Sequence, residues 1–167
     1  PTRRSSDLII QLDHEGVRAV RFNLKRGGSA DVSHLSSMAQ RVYELVGWHV
    51  ELYIDSKDLP DLYETLVTLP SVSIDHLGLS QSGLGLLIKL AEKGIRVKAT
   101  GFGRVDFDVN RALQDLYSAN PASLMFGTDL PSTRAPIPYN DDDFLLVVDA
   151  IGENGVEDVF IRNACKF

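Results

Sequence analysis

The chain has 167 residues, 44% of them hydrophobic and 24% charged, the makeup of a water-soluble globular domain or a piece of one. Its longest apolar runs, such as 84–90, are broken by Gly85 and Lys89 and fall short of the roughly eighteen residues of a membrane span. A net charge of −6 lacks the basic surface of a nucleic-acid binder, so a small-molecule partner fits best, and the lone Cys165 rules out an internal disulfide framework and suits a reducing cytoplasm.

The first eight residues, Pro1-Thr2-Arg3-Arg4-Ser5-Ser6-Asp7-Leu8, read as the in-frame translation of a sequencing-library adapter and are set aside as a tag would be. The protein's own sequence is then expected to begin near Ile9, inside a longer gene. From Val17 onward, short β-branched or apolar runs alternate with amphipathic stretches, the signature of successive βα units on a parallel sheet. The pattern predicts a strand over 17–24, a loop at Gly27-Gly28, and a helix over 31–46. That helix sets Val32, Leu35, Ala39, Val42 and Leu45 or Val46 on one face and ends at Gly47. A second strand follows over 49–55, then a short helix opened by Ser56 or Asp58, with Pro60 in its first turn. A third strand over 71–76 precedes a helix over 84–93 closed by Gly94. A fourth strand over 95–100 precedes a helix over 109–119 that stops before Asn120-Pro121. The fifth strand covers 124–128. A Pro-rich loop over 131–139 then leads to a helix capped by Asn140 or Asp141, and a last short helix ends near Lys166.

Five such units form either an open doubly wound sheet or the later part of an eight-unit barrel, and polarity favours the barrel. Strands of an open α/β sheet are apolar on both faces. Here Arg21 and Asn23 alternate with Val20, Phe22 and Leu24; His49, Glu51, Tyr53 and Asp55 with Val50, Leu52 and Ile54; Arg96, Lys98 and Thr100 with Ile95, Val97 and Ala99. A face carrying Arg21, Glu51 and Lys98 is either a solvated, ligand-binding lumen or a structural ion-pair network, because buried charges are costly unless paired.

Polar side chains also gather where strands end: Arg21 and Asn23, Tyr53 and Asp55, Asp75 and His76, Thr100 and Arg104, Thr128 and Asp129. That edge is where barrels assemble their sites. His76 can serve as metal ligand, electrophile or proton carrier, and Asp129 can hold a water and accept its proton. Arg21 and Arg104 carry the planar fork that grips a carboxylate at two points. Gly101-Phe102-Gly103 allows close backbone approach but lacks the third glycine of a nucleotide loop. Asp141-Asp142-Asp143 suits a helix start through the helix dipole. Trp48 and Met125 read as packing residues, and His14, His34 and His49 show no paired ligand spacing.

Taken in order, Gly16-Val17-Arg18-Ala19-Val20-Arg21-Phe22-Asn23, Ile74-Asp75-His76-Leu77-Gly78, Val97-Lys98-Ala99-Thr100-Gly101-Phe102-Gly103-Arg104, Phe126-Gly127-Thr128-Asp129-Leu130-Pro131 and the closing Asn163-Ala164 form one set. From about Ile9 onward this set resembles the amidohydrolase superfamily, in its branch of 2-pyrone-4,6-dicarboxylate lactonase-like hydrolases. The resemblance implies an α/β chain forming the C-terminal part, about strands 4 to 8 with their helices, of a (β/α)8 TIM barrel.

It also implies roles for particular residues. Asp129 matches the aspartate after the eighth strand that orients and deprotonates water, and His76 the histidine ending the sixth. Arg21 and Arg104 match substrate-anchoring arginines, with Asn23 beside them, and Tyr53 stands where many relatives carry a metal-binding histidine. Leu79 replaces an arginine of the branch, which points away from an identical dicarboxylate substrate. No His-x-His pair occurs in the chain, so a divalent metal such as zinc would need histidines from a missing N-terminal part beside His76 and Asp129. The expectation is a cytoplasmic hydrolase attacking an ester, lactone or amide carbonyl of a small acidic substrate. A zinc-dependent decarboxylase and a barrel used only for binding are the alternatives, and this fragment alone is expected to be inactive and poorly soluble.

Overall fold

The computed structural model describes residues 3–26 and 31–167. Pro1, Thr2 and the Gly27-Gly28 loop lie outside them. Five strands, β1 (Ala19–Asn23), β2 (His49–Tyr53), β3 (Val72–Ile74), β4 (Arg96–Ala99) and β5 (Leu124–Phe126), form one sheet in the order β1-β2-β3-β4-β5, every pairing parallel. A doubly wound sheet reverses its order at a switch point, and this one never does. Its helices also share a side. The inward residues of α2 (Leu35–Val46), α4 (Leu84–Glu92), α5 (Val109–Ala119) and α6 (Asp141–Ile151) pack with Val50, Leu52, Ile74, Val97 and Leu124 in a single core. Sequential parallel strands with helices on one face are the arrangement of a TIM barrel, here a five-unit part of one. Among the described residues no helix is long and apolar enough to cross a membrane.

Local chemistry sets most boundaries. Asp31 accepts from the Ser33 amide at 2.8 Å and opens a 3-10 turn, Val32–His34, so α2 starts at Leu35 rather than at residue 31. Consequently Leu35, Ala39 and Val42 are buried, whereas Val32 and Leu45 face solvent. Gly47 ends α2 in the left-handed region at φ 75, as Gly allows. After β2, Asp55 rather than Ser56 or Asp58 caps a 3-10 turn, Ser56–Asp61, by accepting from the Lys57 amide, and α3 (Tyr63–Leu66) is a single turn. Asp108 caps α5 through the Arg111 amide, and Asn140 caps α6 through the Asp142 amide.

Strands are shorter than the sequence pattern suggests because the chain leaves the ladder as soon as it reaches the residues of the polar edge: β3 stops at Ile74 and β5 at Phe126. Ahead of β1, α1 (Arg3–His14) packs on α2, with Arg41 Nη2 donating to Ser6 Oγ at 2.6 Å. Residues 3–8 of α1 fall in the segment whose sequence matches a sequencing-library adapter. The chain ends in α7 (Glu153–Glu157), a π-helical turn and α8 (Asn163–Cys165), where Asn163 donates to the carbonyls of Pro121 and Leu124 and Cys165 is exposed.

Candidate active site

The sheet face turned away from the helices carries a closed ring of ion pairs. Arg21 Nη1 lies 3.1 Å from Glu51 Oε1 and Arg21 Nη2 lies 2.6 Å from Asp75 Oδ2, while Lys98 Nζ lies 3.3 Å from Asp75 Oδ1 and also pairs with Glu51. Each cation touches both carboxylates. Register explains the geometry: Arg21 and Glu51 are direct partners across β1 and β2, and Lys98 reaches over β3 from β4. The two acids respond differently. Burial pushes Asp75 up to about 6, with Glu51 adding to the rise and Lys98 and Arg21 opposing it. Partial burial pushes Glu51 up as well, but the hydrogen bond and charge of Lys98 hold it below the usual carboxylate range. The face carries an ion-pair network, to which Arg21 belongs with its side chain half exposed.

Beyond the ring, at the C-terminal ends of the strands, His76, Thr100, Arg104 and Asp129 come together from the loops after β3, β4 and β5. Asp129 Oδ2 accepts from Arg104 Nε at 2.7 Å; Asp129 Oδ1 stands 4.0 Å from His76 Nε2. The second distance is too long for a hydrogen bond, which leaves both atoms available to a third group between them. His76 Nδ1 is engaged with Thr100 Oγ1 at 2.8 Å, and the edge of its ring meets Tyr53 with centroids 5.4 Å apart. When the Thr100 hydroxyl donates, the proton of the neutral ring sits on Nε2, facing Asp129. Burial drives the His76 pKa down to about 4; Asp129 pulls it up, while Arg104, Arg21 and Lys98 push it down. The imidazole is therefore neutral at physiological pH.

Backbone geometry marks the same residues. His76 (φ 51), Leu77 (φ 50), Leu79 (φ 70) and Asp129 (φ 59) all lie in the left-handed region. Such residues cost free energy and persist only where surrounding contacts hold them. Gly101, at φ 59, is required by this packing: a β-carbon there would sit 2.8 Å from His76 Nδ1 and 2.9 Å from Arg104 Cδ. Gly103 likewise leaves room for the backbone of Ile137. The Gly-Phe-Gly stretch thus makes way for protein groups.

Of the other residues singled out in the sequence, Tyr53 sits between His76 and the arginines Arg21 and Arg26, each with its guanidinium carbon 5.5 Å from the ring centre. Asn23 is turned to its own loop, its Oδ1 accepting from the Arg26 amide at 3.0 Å. His49 stacks on Phe167 at 4.2 Å at the opposite end of the sheet, and burial, then the charge of Lys98, lowers its pKa to about 4. Trp48 and Met125 are buried, as packing residues should be. Sequence reasoning passed over Lys25, Arg26 and Arg134, which line a cavity beside Tyr53 and Arg104. Their only signal was basic character directly after a strand or inside the Pro-rich loop.

Among the described residues no three His, Cys, Asp or Glu side chains gather to hold a metal ion. His76 and Asp129 offer two donors, and Arg104 already supplies positive charge to the carboxylate. Structural metal sites use four ligands and catalytic ones at least three, so these residues by themselves do not fit a divalent ion.

Comparison with known proteins gives this arrangement a context. The amidohydrolase family model, Amidohydro_2, matches residues 5–167. A 2-pyrone-4,6-dicarboxylate hydrolase of Comamonas testosteroni is 39% identical over 80 residues, which is 46% of this chain and 26% of that protein. Among solved structures, one from Pseudomonas putida, for which a 2-pyrone-4,6-dicarboxylic acid hydrolase role is itself a proposal, superposes with a TM-score of 0.73 at 25% identity. It covers 93% of this chain and 64% of its own length. A protein of Agrobacterium tumefaciens superposes with a TM-score of 0.77 at 18% identity over 98% of this chain and 64% of its own, and shares the fold. The chain thus spans under two thirds of the length of these relatives. With almost its whole length matched by the family model, and with a sequential parallel sheet bearing its polar cluster at the strand ends, the chain belongs to the amidohydrolase family.

Proposed function

We propose that the protein hydrolyses an ester, lactone or amide carbonyl of a small acidic substrate, with Asp129 as the general base. The observation that carries this reading is the Arg104–Asp129–His76 arrangement, in which one carboxylate oxygen is held by a guanidinium and the other faces a neutral imidazole across 4.0 Å. In this scheme Asp129 Oδ1 takes a proton from a water as that water's oxygen bonds to the carbonyl carbon. His76 Nε2–H donates to the carbonyl oxygen as negative charge develops there, the work of an oxyanion donor. The tetrahedral intermediate then collapses, the carbon–oxygen or carbon–nitrogen bond of the leaving group breaks, and the departing atom collects the proton from Asp129. Tyr53 packs His76 in place, and Thr100 sets which ring nitrogen carries the proton.

Two further observations support an acidic substrate and a carbonyl reaction. Lys25, Arg26, Arg104 and Arg134 outnumber Asp55 and Asp106 in the cavity beside Tyr53, and the relative from Comamonas testosteroni is a hydrolase of a pyrone dicarboxylate. The test is a screen of small lactones, esters and amides, with and without a carboxylate, run in 18O-water with the protein at its natural length. The expected result is one 18O atom in the acid product and one proton released per turnover. Carbon dioxide release without 18O incorporation would replace this reading with a decarboxylase.

A further inference from the structure

The loop after β3 turns against the handedness that L-residues prefer. His76 (φ 51), Leu77 (φ 50), Gly78 (φ 73) and Leu79 (φ 70) follow one another with positive φ, and only Gly78 does so without steric cost. At Leu79, where ψ is −45, the Ser80 amide donates to the Gly78 carbonyl at 2.9 Å and closes the rare, strained form of the γ-turn. Released, this backbone would relax toward the right-handed region and carry His76 with it.

Its entry is fixed by β3 and by the fully buried side chain of Leu77. Its exit is fixed by two other loops. Ser56 Oγ, after β2, donates to the Ser80 carbonyl at 2.6 Å. From the loop after β4, Asp106 grips the chain on either side of Ser80: its amide donates to the Leu79 carbonyl at 3.3 Å, and its Oδ1 accepts from the Gln81 amide at 2.6 Å. Asp106 has no ion-pair partner among the described residues, so its carboxylate is committed to that amide. It also lies two residues beyond Arg104, which holds Asp129. One residue thus ties the loop that shapes His76 to the loop that holds the carboxylate opposite it.

We infer that Asp106 is a positioning residue for the proposed hydrolysis, clamping the exit of the left-handed turn so that His76 faces Asp129 across the 4.0 Å gap. Its purpose rests on the hydrolase reading, but the placement of His76 is measurable without turnover.

The test follows the His76 ring signals by imidazole nitrogen NMR in the natural-length protein, with kcat and KM on a substrate from the hydrolysis screen. Asp106→Ala removes the acceptor, and Asp106→Asn restores one. Gln81→Pro removes the donor from the other side, at the first position of a 3-10 turn (Gln81–Gly83) behind an extended Ser80, where proline is accommodated. Asp108→Ala is the control, deleting a comparable bond to the Arg111 amide at the start of α5. Asp106→Ala and Gln81→Pro are each expected to shift or broaden the His76 signals and to lower kcat by about tenfold, with KM within about twofold. The double variant should be no worse than either single one, as for two ends of one bond. Asp106→Asn should stay within about threefold of the unmodified kcat, and Asp108→Ala should leave kcat and the ring signals in place.

His76 signals unmoved in Asp106→Ala and Gln81→Pro, or moved equally by Asp108→Ala, overturn the proposal, as do losses that add in the double variant. If one of the two single variants fails to fold, the other decides by the same signals. Displaced His76 signals, with no ester, lactone or amide hydrolysed by the unmodified protein, overturn the hydrolase reading alone. Hydrolysis lost in Asp129→Asn but kept in Asp106→Ala, with the ring signals unmoved, overturns the assignment of Asp106 alone.

Discussion

In the ring halfway along the sheet, Arg21 and Lys98 each touch both Glu51 and Asp75, whereas at the loop rim Arg26 and Arg134 meet no carboxylate among the described residues. The ring closes around Asp75, whose side chain is only 4% exposed, so that carboxylate is stable because Arg21 and Lys98 neutralise it. The rim is open to solvent, where an unpaired guanidinium costs little and stays available to a ligand. Charge in the ring therefore ties strands together, whereas Arg26 and Arg134 at the edge are left without a carboxylate. Arg21 and Arg104 look alike in the sequence, and both are paired, but one closes the ring and the other holds Asp129.

Breaking the ring should cost the most. Lys98→Met leaves two buried carboxylates sharing Arg21 and is expected to lower unfolding free energy by about 3 kcal/mol, while Arg134→Met at the rim changes it by less than about 0.5 kcal/mol. Urea unfolding of both variants at one pH compares them directly, and equal losses would abolish the distinction between ring and rim. A smaller effect, about 2 kcal/mol, is expected for Gly101→Ala, which meets both an unfavourable positive φ and a β-carbon pressed on His76 and Arg104. Its activity should fall further than its stability predicts, since both site residues are displaced together.

Thr100→Val should cost about 1 kcal/mol by orphaning His76 Nδ1. Its diagnostic readout is the imidazole NMR signal, which should lose its single tautomer. The pH dependence carries a defined sign. The His76 pKa falls from an ordinary value of 6.5 to about 4 in the folded protein, so between those values the unfolded chain binds more protons and stability declines as pH drops. Asp75, raised to about 6, works in the opposite direction and gains stability as pH falls through 6. His76→Asn should flatten the first decline and leave the second trend in place; unfolding followed from pH 4 to pH 7 separates the two.

Much of the fold could be read from the sequence because its causes are local. Alternation along 49–55 and 95–100 gives β2 and β4, the spacing of Ala112, Leu113 and Leu116 gives α5 with both ends as expected, and Asn140 caps α6. Strand ends were overestimated because the turn into left-handed conformations at His76 and beyond is set by packing across loops, which no periodicity reveals. Asp129, His76 and Arg104 were singled out because motif context put polar residues at strand ends, and the structure places them within one cluster. Arg21 and Asn23 were read as substrate contacts from their strand-end position and the family resemblance. Their present partners, Glu51 and Asp75 for one and the Arg26 amide for the other, depend on register and loop shape. Arg26 and Arg134 escaped notice because their proximity exists only after five loops converge.

The central claim is that Asp129 activates water while other groups hold the substrate, and Asp129→Asn in the natural-length protein tests it most directly. On a substrate found in the hydrolysis screen, kcat should fall by about 10²- to 10⁴-fold, with affinity for a nonhydrolysable dianion kept within about threefold. Turnover by Asp129→Asn at close to the unmodified rate would contradict the assignment of Asp129 as the base.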